Sequence, residues 1–221
     1  NLRGASSDQL LVLIDGVRVA DQASPAGGFD FGNLLLGAAG KIDVLRGSNS
    51  TIWGSEAVGG VIDVSTRTER GMSGSVEFGA RDTLFASAAA GAGNDAVFFG
   101  LTGSWYETDG FSAAASGTEA DGAQQFALGT TAFVNLTPSL ELFAHGNFTE
   151  GDVEIDGFPA PDFLLADTED TQKTTRYWGD VGLAYYGNDL TLRAAYSLSD
   201  TERVNRAGAG VAPCPRVGRS N

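Results

Sequence analysis

The sequence predicts a membrane all-β fold: a partial antiparallel up-and-down transmembrane β-barrel of about seven strands over residues 71–221. Part of a small α/β domain, residues 1–70, precedes it. Three observations carry the prediction. Side chains alternate with period two from Met72 onward, short and long connections alternate along the chain, and aromatic residues recur at two levels of a strand.

The alternation is clearest in three stretches. Leu140, Leu142, Ala144, Gly146 and Phe148 share one face, opposite Glu141, Phe143, His145 and Asn147. Leu190, Leu192, Ala194, Tyr196 and Leu198 oppose Thr191, Arg193, Ala195, Ser197 and Ser199. Val97, Phe99, Leu101, Gly103 and Trp105 oppose Phe98, Gly100, Thr102, Ser104 and Tyr106. Such a pattern puts one face in apolar surroundings and the other in polar ones.

The connections separate a membrane barrel from a soluble sandwich. Gly93-Asn94-Asp95, Thr137-Pro138-Ser139 and Gly187-Asn188-Asp189 are tight, whereas 108–123, 151–172 and 204 onward are long. A barrel with short periplasmic turns and long outer loops needs that alternation; a sandwich does not. Aromatic residues agree, because Tyr177-Trp178 and Tyr185-Tyr186 bracket one strand. Eight residues at ~3.3 Å, tilted ~40°, span about 20 Å of the membrane normal, near the ~25 Å lipid-facing band. Strands are expected at 73–81, 84–92, 96–107, 124–136, 140–150, 174–186 and 190–202. That number leaves the barrel open, so further strands are expected beyond Asn221.

The first seventy residues read differently. Leu10–Ile14 is an apolar run ending in the turn pair Asp15-Gly16, followed by Val17-Arg18-Val19. Residues 21–40 hold Ser24-Pro25, Gly27-Gly28 and Gly37, which predicts loop with a helical turn near Asn33–Leu36. Ile42–Leu45 and Gly60–Thr66 predict two more strands.

Composition narrows the function. A net charge of −14 leaves no basic patch for nucleic acid, and fits a chain that meets cations. The single cysteine, Cys214, excludes a disulfide framework within the chain. No apolar run is long enough for a transmembrane helix. The start at Asn1-Leu2-Arg3 and the polar end at Arg219-Ser220-Asn221 read as cuts in a longer protein. No serine triad, pocketed carboxylate pair or zinc spacing emerges, so no enzyme is expected. His145, the sole histidine, reads as a polar residue of the barrel lumen.

"VLIDGVRV" (12–19) and "KIDVLRGSNSTIWGSEAVGGVIDVSTR" (41–67), followed by alternating strands, resemble the plug and barrel of TonB-dependent outer-membrane receptors. Within that family, "SPAGGFDF" (24–31) and "GDVEIDGFPAPDFLLADTED" (151–170) are most similar to cobalamin receptors. The resemblance implies active uptake of a scarce nutrient across the bacterial outer membrane. It also implies a TonB-type partner, whose docking segment is missing here, and outer-membrane lipid around the barrel. Arg46 is then the kind of arginine that pairs with wall glutamates, with Gly47, Glu56, Gly59 and Gly60 at the plug–barrel contact. Phe158, Pro159 and Phe163, beside Leu164, are apolar loop residues that either contact a bulky ligand or pack the loop on itself. Glu119, Asp121, Asp156 and Asp167 are oxygen donors of the kind Ca²⁺ takes, and the resemblance implies calcium-ordered loops; solvated loop acids are the equal alternative. Other substrates of the same architecture are ferric siderophores and haem. A passive porin or a surface adhesin is the alternative from another class; residues 1–70 argue against a porin.

Overall fold

The computed structural model describes residues 9–20, 28–35, 37, 39–48, 50–114, 117, 120–159, 161 and 163–208. The described strands form two sheets, one four-stranded with order β2-β1-β4-β3 and one seven-stranded running β11 to β5.

The small sheet comprises β1 (Leu10–Ile14), β2 (Val17–Val19), β3 (Ala39–Arg46) and β4 (Gly60–Thr66). The β1–β2 hairpin turns on Asp15 and Gly16 at φ 53° and 81°, the left-handed pair that an Asp-Gly type I′ turn demands. β1 runs parallel to β4 and antiparallel to β2, so it is covered on both edges. It is covered on both faces too, which explains an unbroken apolar run where alternation would mark a half-exposed strand. Val12 and Ile14 join Val17, Val19, Phe29 and Val64 on one side, while Leu11 and Leu13 join Ala57 and Val61 on the other. The helical turn falls slightly earlier than predicted, as a 3-10 turn over Phe31–Asn33, where the Asp30 carboxylate accepts from the Gly32 N–H at 3.0 Å. Leu36 lies outside the described residues.

The large sheet is a meander: β5 (Gly71–Phe78), β6 (Leu84–Gly93), β7 (Val97–Thr108), β8 (Ala123–Thr137), β9 (Leu140–Gly157), β10 (Ala166–Tyr186) and β11 (Thr191–Arg206). All neighbouring pairs are antiparallel. The three tight turns lie where the sequence puts them. The long connection expected over 151–172 is shorter than that, because β9 and β10 run on and leave only 158–165 between them. Above the membrane the lipid-facing positions turn acidic (Glu150, Asp152, Glu154), so apolar alternation fades although the ladder persists, with Val153 opposite Gln172 and Ile155 opposite Asp170.

The outer face of this sheet stays open. Leu142, Leu183, Leu192 and Leu198 are exposed there, under no second sheet. An aromatic row crosses it: Trp105 and Phe126 ring centroids are 6.5 Å apart, as are Phe126 and Phe148, and Phe148 pairs with Tyr177 on β10. Tyr185, eight residues below Tyr177 on the same face, marks the other interface. Trp178 does not belong to this girdle. The strand's own pleat turns it inward, where it completes the apolar cluster of the small sheet.

Candidate functional site: the plug–wall interface and the outer loops

Ladder register stacks the inward side chains in rows across β7–β11. The lowest row is aromatic: Phe98, Phe133 and Phe143, with Phe98 and Phe133 stacked at 5.1 Å. These inward phenylalanines depart from the polar inner face that alternation predicts. Phe98 and Phe143 are buried, and Arg193 stacks over the Phe143 ring at 4.1 Å, so the row is packed rather than wetted. Above it run Gly100, Thr131, His145 and Asp180, then Thr102, Gly129, Asn147 and Trp178, then Ser104, Ala127, Thr149 and Arg176.

The small sheet meets these rows with matched chemistry. Thr66 Oγ1 lies 2.9 Å from Thr131 Oγ1, and Gln125 Nε2 donates to the Gly32 carbonyl at 2.8 Å. Arg176, 2% exposed, covers the Phe29 ring at 4.9 Å, while Arg203 lies 3.8 Å from Asp30. Gly37 passes so close to the wall that a Cβ there would overlap Ser104 and Ser87.

A charged group occupies the lower half of the contact. His145 Nδ1 and Asp180 Oδ1 are 2.6 Å apart, and Arg193 approaches the other Asp180 oxygen at 3.6 Å. Asp15 faces them from the plug hairpin, its Oδ1 accepting from the Thr66 N–H at 2.8 Å and the Thr66 hydroxyl at 3.1 Å. Its Oδ2 is buried without a partner. Burial pushes the Asp15 carboxyl above the usual carboxylate range, against the pull of the Thr66 N–H and of His145. Asp63 is raised for the same first reason, with Asp43 and Asp15 adding repulsion.

The residues singled out from the sequence separate into groups. Arg46 is exposed and makes no ion pair among the described residues. Glu56 pairs with Arg18 inside the plug, not with the wall. Gly47 and Gly60 have φ of 91° and 149°, whereas Gly59 is right-handed at −80° and donates its N–H to the Gln9 carbonyl at 2.8 Å. A Cβ at Gly47 would meet nothing within 4 Å, so its backbone angle, not a close approach, calls for glycine. Among the described residues, Arg176 and Arg203 of the wall reach across the interface.

In the outer loops, Asp156 and Asp167 both accept from Ser112 Oγ, at 3.2 and 3.0 Å, and Asp156 takes the Ala114 N–H at 2.6 Å. Asp121 takes the Ala113 N–H at 2.7 Å in the same loop. Asp121 Oδ1 and Asp156 Oδ1 are buried without partners. The described residues contain no group of three His, Cys, Asp or Glu side chains at metal-binding spacing; Glu119 lies outside them, as does Cys214. Phe158, Phe163 and Leu164 are well exposed, and the Phe163 N–H donates back to the Pro159 carbonyl at 3.0 Å. Phe111 is exposed as well, with the Arg81 guanidinium 4.7 Å from its ring. Phe29, Trp178, Arg176 and Gln125 were not foreseen. The signal for the last three is a long side chain at an inward position of a barrel strand.

A plug-type sheet seated on the inner face of an up-and-down wall, with lipid-facing residues outside, is the plug-in-barrel architecture of an outer-membrane β-barrel protein. Residues 1–61 match the TonB-dependent receptor plug domain. The chain is 40% identical over 93 residues to the vitamin B12 transporter BtuB of Vibrio cholerae serotype O1 strain O395, covering 41% of this chain and 15% of the relative. It is 34% identical over 116 residues to the vitamin B12 transporter BtuB of Vibrio vulnificus strain CMCP6, covering 50% and 18%. The chain thus spans under a fifth of these curated relatives. Among solved structures, the siderophore receptor PiuA from Acinetobacter baumannii superposes with TM-score 0.68 at 18% identity, covering 93% of this chain and 31% of that one. The ferric-catecholate receptor Fiu from E. coli K12 gives 0.71 at 16%, covering 95% and 35%. These structural likenesses speak to the fold alone.

Proposed function

We propose that this chain serves TonB-energised uptake of a bulky, scarce nutrient across the outer membrane, and that the nutrient is a corrinoid of the cobalamin kind. The observation that carries the uptake reading is the plug seated on the wall's inner rows by Trp178, Thr131, Gln125 and Arg176. Such a seal blocks passive diffusion, so passage requires that the plug be moved. Identity with vitamin B12 transporters over 93 and 116 residues supports the corrinoid. A TonB-type protein is the partner, and its pull supplies the work. Binding must favour a plug conformation that the partner can act on, because a ligand shifts an equilibrium only by its differential affinity.

Asp121, Asp156 and Asp167, with Glu119, would hold Ca²⁺ between the second and third outer loops. Support comes from the two buried, unpartnered oxygens of Asp121 and Asp156 around Ser112. Bound there, the cation would cross-link the loops that carry Phe111, Phe158 and Phe163 and hold an apolar ligand surface in place.

The test is binding of cyanocobalamin to the full-length receptor in detergent, with and without Ca²⁺. Tight binding that strengthens with Ca²⁺ is expected. Absence of binding in both conditions would remove the corrinoid and leave a siderophore or haem as the substrate of the same machine.

A further inference from the structure

The two sides of the plug meet the wall with opposite chemistry. Towards β10 and β11 the inner face carries Arg176, Asp180, Arg193 and Arg203, and Trp178 enters the plug's apolar cluster. Among the described residues, the inner positions of β6, β7 and β8 carry no Asp, Glu, Lys, Arg or His. Between the Phe98–Phe133 row and the Phe85, Tyr106 and Gln125 positions stand small neutral groups, including Ser87, Thr102, Ser104, Ala127 and Gly129.

A cavity lies along this neutral side, between plug residues Ile14, Leu34, Leu35, Ala39 and Val64 and wall residues Thr102, Ser104, Gly129, Asn147 and Trp178. Two donors at it are unanswered. Trp178 Nε1, on a side chain 5% exposed, and Asn147 Nδ2 are both buried without partners. Buried donors left without acceptors cost free energy, so the cavity suits a hydrogen-bonding occupant. Leu34 and Leu35, at the end of the segment that carries Phe29 and Asp30, form part of its lining.

We propose that energised passage follows this seam: the plug parts from β6–β8 through the cavity, stays seated on β10–β11, and the passenger slides over neutral hydroxyl, amide and glycine groups. The inference rests on the uptake reading and adds its route. Separation on the β6–β8 side breaks neutral contacts alone: the Thr66–Thr131 and Gln125–Gly32 hydrogen bonds and the Gly37 approach. Separation on the other side must part Arg203 from Asp30, lift the Phe29 ring off Arg176 and draw the Trp178 indole out of the plug's apolar cluster. The neutral seam also favours a passenger that offers amide or hydroxyl groups over one with high net charge, since no ion on that wall would trap or repel it.

The experiment uses the full-length receptor with Cys214 replaced by Ser, in cells with and without functional TonB, probed by a membrane-impermeant maleimide. Thr102→Cys and Ser104→Cys, buried at rest, are expected to gain labelling several-fold only when TonB works. Ala184→Cys on β10 and Val19→Cys on β2, equally buried, are expected to stay protected. A second arm joins Thr66→Cys to Thr131→Cys, whose hydroxyl oxygens lie 2.9 Å apart, within reach of a disulfide. That bond should abolish cyanocobalamin accumulation, and a reductant should restore it. Labelling that rises at Ala184→Cys and Val19→Cys instead, that rises nowhere, or uptake that survives the bond would each overturn the seam. If the untethered parent accumulates no cyanocobalamin, the corrinoid reading falls by itself, and the labelling contrast still decides the route.

Discussion

Among the described residues, Trp178 is the one wall side chain within the plug's apolar cluster, packed with Val12, Ile14 and Val64. Trp178→Ala removes about 150–250 Å² of buried surface, which at about 25 cal/mol per Å² amounts to about 4–6 kcal/mol. Partial collapse of the space and a compact unseated state reduce this, so about 3–5 kcal/mol is the expected loss in plug seating. At 1.4 kcal/mol per decade, plug opening should become on the order of a hundred- to a few thousand-fold more frequent. Hydrogen exchange of the full-length receptor in detergent reads this directly. Amides of β1 and β4 should lose that much protection, while amides of the lipid-facing strands β7 and β8 should keep theirs. Trp178→Phe, which keeps a ring in the cluster, should lose far less. Unchanged protection of β1 and β4 in Trp178→Ala would refute the idea that wall and plug share one core.

Asp15 predicts a pH dependence: its carboxyl is raised by burial, so plug seating should be strongest at low pH. It should weaken from about pH 4, where the released carboxyl ionises, up through the raised seated value. Asp15→Asn keeps an acceptor for the Thr66 N–H and should flatten that dependence while increasing protection at pH 7; a steeper profile would count against it. Leu183→Arg places a charge on the lipid face and should cost about 2–4 kcal/mol of assembled barrel, read as loss of the heat-modifiable folded band, whereas Thr149→Arg on the inner face should still assemble. Asp156→Asn should weaken any Ca²⁺ enhancement of cyanocobalamin binding at least tenfold without unfolding the barrel; unchanged enhancement would remove Asp156 from the cation site.

The parts of this protein that answer to a single local rule were legible in the sequence. Asp15-Gly16 admits few turns, and Leu140–Phe148 admits one pleat, so the hairpin and the wall strands stand where expected. Parity also named the lipid face, since Leu142 and Leu192 fall on the apolar side of their strands and stand exposed there. What was missed depends on register between strands. Trp178 next to Tyr177 reads as a pair of interface aromatics, yet adjacent residues of a strand face opposite ways and only one of them meets lipid. The inward row Phe98–Phe133–Phe143 exists only once β7, β8 and β9 are aligned. Arg176 and Arg203, which meet the plug at Phe29 and Asp30, sit at inward positions of β10 and β11, which no local motif announces. The loop acids were foreseen by composition and spacing; their convergence on Ser112 required the fold.

The most direct test of the two-faced wall is quenching of tryptophan fluorescence by brominated lipid. In the full-length receptor reconstituted with such lipids, a variant keeping Trp105 alone should be strongly quenched, because Trp105 stands in the outer aromatic row. One keeping Trp178 alone should be almost unaffected, its indole lying between wall and plug. Strong quenching of Trp178, or a Trp105 blind to the lipid, would mean that the inner and outer faces have been exchanged.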